Sequence, residues 1–270
     1  MSAETRRKIA EGREAEIFAW GEDAVLRLLR NPNALPQIEW EAAAMRAAAG
    51  AGVRVPAVIE VTTVDGRPGL VMERIDGIDM LAVVGKKPWQ VLSVGAHTGR
   101  IQAELHDVKA PSGMRPLNAR LHDRIEQLSG LSDRLKQFAL STLDELPQGD
   151  RLCHGDLHPG NIMRTSGEPV LIDWTAVTAG EPTADYVRTH LMIRIGDIPP
   201  GQPLVIRYGA KVARGLMLSS YNRAYRRARP IDDKLAKRWE VAVAAARIGD
   251  GIEPEIPKLI ALLEKARTLA

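Results

Sequence analysis

Leu152-Cys153-His154-Gly155-Asp156-Leu157-His158-Pro159-Gly160-Asn161 is the stretch on which the reading of this chain turns, with Val170-Leu171-Ile172-Asp173-Trp174 close behind it. An apolar start runs straight into His, Gly, Asp and Pro. Gly155, Pro159 and Gly160 suit a tight loop that returns Asn161 toward Asp156. Four residues separate that Asp from that Asn, and Asp173 follows 12 residues after Asn161, beyond a short apolar strand.

Two carboxylates and an amide in this order suit phosphoryl transfer, which needs few parts. One carboxylate orients and deprotonates the acceptor hydroxyl, oxygen ligands hold magnesium against the phosphates, and a cation meets the non-transferred phosphates. Kinases supply the first parts as an Asp, four residues, an Asn, and a second Asp after a strand. A bland surface turn accounts for Asp156 and Asn161 alone. It does not account for their company: His154, the Ile172-Asp173-Trp174 strand end and a β-rich segment upstream. A zinc pair of His154 and His158 needs a helix to place both on one face, and Pro159 with its flanking glycines opposes one.

Working outward, residues 8–29 alternate as strands broken at Gly12 and at Gly21-Glu22-Asp23, ending in Ala24-Val25-Leu26. Pro36 suits a helix start, and Ile38 to Ala49 is rich in Ala and Glu until Gly50 and Gly52. Val58–Val64 and Gly69–Met72 flank Asp65-Gly66 as a hairpin. From Gly77 onward helices dominate. Val94, Thr98, Ile101 and Leu105 mark one buried face near 89–106. Further helices are expected at 117–129, 132–145, 183–195, 203–228, 233–248 and 255–268, with short strands at 151–153, 161–163 and 170–172. The best division is 1–76, a β-rich lobe including a hinge, and 77–270, a mainly helical lobe.

Composition sets the class. At 270 residues, with 45% hydrophobic and 26% charged, the chain can bury a real core, and two Phe and four Tyr leave aliphatic packing to dominate it. One cysteine excludes an internal disulfide framework and a Cys-rich zinc site. Cys153 itself reads as a buried strand thiol, not a nucleophile. Met1 to Lys8 is polar with no apolar leader, and no run is long enough to span a bilayer, so the expectation is cytoplasmic with no membrane partner. Residues 181–270 hold 16 Lys and Arg against 10 Asp and Glu. The run Arg223, Arg226, Arg227 and Arg229 reads as a solvated helix face. With only Tyr221 and Tyr225 between the arginines, no nucleic-acid partner is expected.

His154 to Asn161 together with Ile172-Asp173-Trp174 resembles the aminoglycoside phosphotransferase/choline kinase-like family. The likeness extends over roughly residues 8–195. Val25-Leu26-Arg27 resembles the family's third strand, and Glu41 to Met45 with Gly52 to Pro56 its helix C and exit. Leu70 to Glu73 resembles the hinge, Leu105-His106 the long helix, and Ala184-Asp185 the segment after the metal loop. The resemblance implies an α+β, bilobal protein-kinase-like fold, its N-lobe β-rich with one helix and its C-lobe mainly helical. The reaction it implies moves the γ-phosphoryl group of ATP, with Mg2+, to a hydroxyl of a small molecule.

The resemblance also implies roles. Asp156 would be the catalytic base or orienter, with Asn161 and Asp173 the magnesium ligands. Arg27 would contact the α- and β-phosphates and pair with Glu41. Backbone groups at Met72, Glu73 and Arg74 would hold adenine, and the Gly12 turn would cover the phosphates. Arg27 stands where the family often has Lys; arginine keeps the charge and can pair bidentately with a carboxylate. Asp185 reads as a brace and His106 as a helix-end residue. A protein kinase and a non-catalytic nucleotide-binding scaffold are the rival readings. The short span from Asp173 to Pro182 leaves little room for a long activation segment and favours a small acceptor. Asp250, Glu253 and Glu255 are the only candidate acidic wall in a basic last third, so the expected acceptor is neutral or weakly charged rather than a polycationic antibiotic.

Overall fold

The structure, a computed structural model, describes residues 7–12, 14–196 and 204–269. Arg13, in the expected phosphate-covering turn, and the expected helix start at 203 lie outside the described residues.

Five antiparallel strands form the N-terminal sheet: β1 (Lys8–Glu11), β2 (Ala15–Trp20), β3 (Ala24–Leu29), β4 (Val58–Val64) and β5 (Arg67–Glu73), in the order β1-β2-β3-β5-β4. The β4–β5 turn has φ of 51° at Asp65 and 72° at Gly66. A two-residue hairpin whose twist matches its strands needs positive φ at both positions, and Asp-Gly tolerates it. Helix α1 (Leu35–Gly50) opens with Pro36 in its first turn and buries Ile38, Ala42, Met45 and Ala48 against the sheet.

Alternation along β3 decides where the basic residue points. Leu26 and Leu28 join Phe18, Val64 and Val71 in a small core on one face of the sheet. Arg27, between them, must emerge on the other face, which α1 covers.

The C-terminal region is mainly helical. After β6 (Ile78–Asp79) come α2 (Met80–Lys86), α3 (Val91–Leu105), α4 (Leu117–Glu126) and α5 (Asp133–Asp144). Short strands β7 (Arg151–Cys153), β8 (Ile162–Arg164), β9 (Val170–Leu171) and β10 (Thr178–Gly180) follow, then α6 (Pro182–Ile195), α7 (Leu204–Ala228), α8 (Asp233–Ile248) and α9 (Ile256–Leu269). The short strands make two small sheets, β6-β8-β9 and β10-β7. Helix α3 runs against α7 so closely that a Cβ on Gly95 or Gly99 would strike the carbonyl oxygens of Met217 and Tyr221. Those two positions therefore require glycine.

The expected aliphatic core holds by number, yet the largest fully buried side chains are Trp239, Tyr186, Tyr221 and Tyr225. Tyr221 and Tyr225 are fully buried and cannot stack on a ligand at the surface. In the arginine run, Arg223 and Arg227 are solvated. Arg226 instead pairs with Asp233 at 2.6 Å and Arg229 with Asp107 at 2.7 Å. No helix among the described residues is long and apolar enough to cross a membrane.

Candidate active site

The loop between β7 and β8 is shaped by its own side chains. Gly155 takes φ of +77°, where a Cβ would collide with Ala176. The His158 ring accepts from Gly160 N at 3.0 Å, turning the chain so that Asn161 faces back. Asn161 Nδ2 then donates to Asp156 O at 2.8 Å and to Asp156 Oδ2 at 3.3 Å. The amide nitrogen is thereby committed, and the amide oxygen makes no hydrogen bond among the described residues. Asp185, on α6, accepts from the backbone of His154 at 3.1 Å and of Gly155 at 2.8 Å. It also accepts from Gln102 Nε2 at 3.1 Å and meets His106 Nε2 at 3.0 Å. The brace inferred for Asp185 thus acts on the loop before Asp156, and His106 ends α3 buried between Asp185 and Tyr225.

His154 ties this loop to Asp173. Its Nδ1 accepts from Asp156 N at 3.3 Å, so the proton lies on Nε2, which donates to Ile172 O at 3.1 Å. Ile172 N donates to Asn161 O at 2.9 Å. Asp173 comes next, with φ of 61°, a backbone costly for a residue with a Cβ and concentrated at functional sites. Its exposed carboxylate has no cationic partner among the described residues.

A cleft of about 1000 Å³ lies between the two regions. Gly12, Arg27, Glu41, Met72, Glu73, Arg74 and Asp173 all line it; Asp156 and Asn161 do not, but Asn161 O bonds Ile172 N at its edge and Asp156 is bonded to Asn161. Arg27 Nη1 lies 2.6 Å from Glu41 Oε2, with Gln37 donating to the other oxygen at 3.1 Å. Burial raises the Glu41 pKa despite the opposing charge of Arg27. At the hinge two N–H groups are already engaged. Glu73 N donates to Ala57 O at 2.9 Å and Arg74 N to Asp23 O at 2.8 Å. Both N–H groups are spent on continuing the sheet edge; Ile75, the next cleft-lining residue, which the sequence reading did not single out, makes no backbone N–H bond among the described residues. The Glu73 side chain is held by Arg54, 2.9 Å from its Nη1, and Arg74 by Asp76.

Over residues 5–246 the sequence matches the family described as the phosphotransferase enzyme family, APH. The chain belongs to that family. No curated protein matches it by sequence. Its fold is similar to that of an aminoglycoside phosphotransferase APH(4)-Ia solved with AMP-PNP and hygromycin B, at 15% identity and a TM-score of 0.65, covering 97% of this chain and 92% of that one. It is also similar to an amicoumacin kinase in complex with AMP-PNP, Ca2+ and Ami, at 14% identity and a TM-score of 0.63, covering 100% of this chain and 90% of that one. A third similar structure is a fructosamine-3-kinase-type protein of Haemophilus somnus, at 12% identity and a TM-score of 0.63, covering 97% and 90%.

In this phosphotransferase two of the three acids weighed as a wall for a cationic acceptor are already taken. Glu255 is buried against Arg247, 2.8 Å from its Nε. Asp250 meets Arg124, Arg188 at 3.2 Å and Arg247 at 3.3 Å. Only Glu253 stays exposed to solvent. Arg188, which the sequence reading also passed over, reaches Asp156 Oδ1 at 3.4 Å and donates through Nε to Gly155 O. Burial pushes the Asp156 carboxyl up, but Arg188, then His158 and His154, outweigh it and hold it below the ordinary value. Cys153 is fully buried and its thiol is raised well above its usual range, chiefly by burial.

Proposed function

We propose that the enzyme transfers the γ-phosphoryl group of ATP, with Mg2+, to a hydroxyl of a small molecule, in the cleft between the sheet and the helices. The observation that carries this reading is the division of labour at Asn161. Its amide nitrogen fixes Asp156, while its amide oxygen and the cleft-lining Asp173 carboxylate have no hydrogen-bond or cationic partner among the described residues. Two hard oxygen donors, one charged, suit a hard divalent cation. Such a cation, when bound, neutralises charge on the phosphates and orients them. Arg27, fixed by Glu41, meets the non-transferred phosphates; Ile75 N and the neighbouring hinge hold the base; the Gly12 turn covers the phosphates.

Asp156 accepts a hydrogen bond from the acceptor hydroxyl and aligns it. A carboxylate held below its ordinary pKa is a weak base, so its main contribution is orientation; in a loose transition state the hydroxyl proton leaves late. The link from Asp173 to α6 supports a small acceptor. Thr178 to Gly180 within it are paired to β7, so only residues 174–177 separate Asp173 from a strand.

The test measures nucleotide binding and transfer separately. Asp156→Ala should lower transfer by about 10²–10⁴-fold with nucleotide affinity retained. Asp173→Asn should weaken Mg2+-dependent ATP binding measured by calorimetry, with Asn161→Ala milder. Retention of a tenth or more of parental transfer in Asp156→Ala would remove Asp156 from the reaction. Unchanged affinity in both other variants would place the metal elsewhere.

A further inference from the structure

Arg120, on α4, is a half-buried guanidinium with no carboxylate of its own. Among the described residues its side chain makes no hydrogen bond and no ion pair. Its neighbours are cations instead. Burial, then the charges of Arg188, Arg124 and Arg115, push its pKa down to about 10, far below that of an ordinary arginine. The acid whose charge reaches it is Glu14, next to the Gly12 turn and beyond ion-pair distance. Other nearby acids are committed: Asp123 to Arg115 at 2.6 Å, Asp250 to Arg124 and Arg188, and Asp156 to Arg188.

Arg120 lines a small recess together with Leu121, Arg124, Gly155 and Arg188. The recess shares no wall residue with the nucleotide cleft. Its wall includes Gly155, the residue before Asp156. A guanidinium drawn out of water beside like charges is unfavourable, and an anion seated against it would offset that cost. The fork geometry of arginine fits a planar carboxylate or a phosphate.

We propose that Arg120 is an acceptor-binding residue, and that the acceptor is an anionic alcohol whose carboxylate or phosphate sits in this recess while its hydroxyl meets Asp156. This rests on the phosphotransferase reading of Asp156 and narrows its substrate class. It also departs from the sequence-based expectation of a neutral or weakly charged acceptor.

A charge series on one carbon skeleton tests it: glucose, glucosamine, gluconate and glucose 6-phosphate, each assayed for binding and for transfer from labelled Mg2+-ATP. The expected result is preference for the anionic members. Arg120→Ala should reduce that preference by about 10–100-fold, the range for losing a hydrogen bond to a charged group, and Arg120→Lys by less. The unliganded Arg120→Ala protein should melt no lower than the parent, because no internal bond is lost. Absence of a charge preference in both binding and transfer, preference for glucosamine, or an anion preference that survives Arg120→Ala overturns the proposal. So does a loss of ATP affinity in Arg120→Ala with acceptor selectivity intact, which assigns Arg120 to the nucleotide. Failure of the parent to bind Mg2+-ATP would instead strike the phosphotransferase reading itself.

Discussion

Arg188 Nη2 lies 3.4 Å from Asp156 Oδ1 and 3.2 Å from Asp250 Oδ2, so one side chain of α6 spans two carboxylates drawn from distant parts of the chain. Its Nε holds the carbonyl of Gly155 as well. The position and the ionisation of Asp156 thus depend on the same guanidinium.

Arg188→Met should therefore move the acid limb of the kcat/KM–pH profile upward. With Arg188 gone, the largest influence on Asp156 is burial, which raises its pKa. The carboxylate is then protonated, and activity lost, at a higher pH than in the parent. The fold should survive, since Asp250 keeps Arg124 and Arg247. Arg188→Lys should restore part of the shift by returning the charge without the fork. A lowered rate with an unmoved acid limb would reduce Arg188 to packing.

Arg27 and Glu41 offer a test that separates charge from geometry. The pair is nearly excluded from water, with side-chain exposures of 11% and 3%. Breaking a buried pair from one side leaves an uncompensated charge, which costs roughly 3–5 kcal/mol. Arg27→Ala should lower both stability and ATP affinity, while the double variant Arg27→Ala/Glu41→Ala should recover stability but not affinity. Thermal melting and calorimetry read the two effects apart. Parental ATP affinity in Arg27→Ala would show that the guanidinium serves only the fold.

These residues were not equally legible in the sequence. The loop from His154 to Asn161 could be read because its parts bond to one another within a few positions, so spacing alone carries the geometry. The β4–β5 hairpin was legible for the same reason, Asp65-Gly66 being a local conformational requirement. Arg27 with Glu41 came only through the family resemblance. Nothing in the sequence between them joins a strand to a helix. Arg120 looks like an ordinary polar position on an amphipathic helix and Arg188 like one charged position in a helix buried on most sides, and their meaning appears only when α4, α6 and the loop converge. Asp250 and Glu255, weighed in the sequence as a candidate wall, could not be seen there to be committed. A sum of charge over the last third does not know that each acid already has an arginine. The two-residue β6 and three-residue β10 are too short for any periodicity; they exist because β8 and β7 lie alongside.

Acid should weaken the protein from the histidine range downward, and His154 should be the group that links this loss to activity. Burial lowers the His154 pKa from its ordinary 6.5, outweighing the nearby charges of Asp185, Asp156 and Asp173. Burial lowers His158 and His190 in the same direction. A group whose pKa is lower folded than unfolded binds more protons when unfolded, so its contribution is complete above 6.5 and declines as pH falls below it. Asp185, held at about 2 against an ordinary 3.8, adds a second loss at much lower pH. Protonating His154 has a local consequence besides. A proton on Nδ1 would face the Asp156 N–H that now donates to it, so the loop must open at the residue that aligns the acceptor. Melting temperature should be level from pH 8 to 7 and fall from about 6.5 downward, with transfer falling alongside. His154→Gln should melt lower than the parent at pH 7.5 and show a shallower decline on acidification, because one titrating group is gone. Melting series across pH for both proteins check this. A decline equally steep in His154→Gln, or a parent that gains stability on acidification, would show that His154 is not the group that titrates.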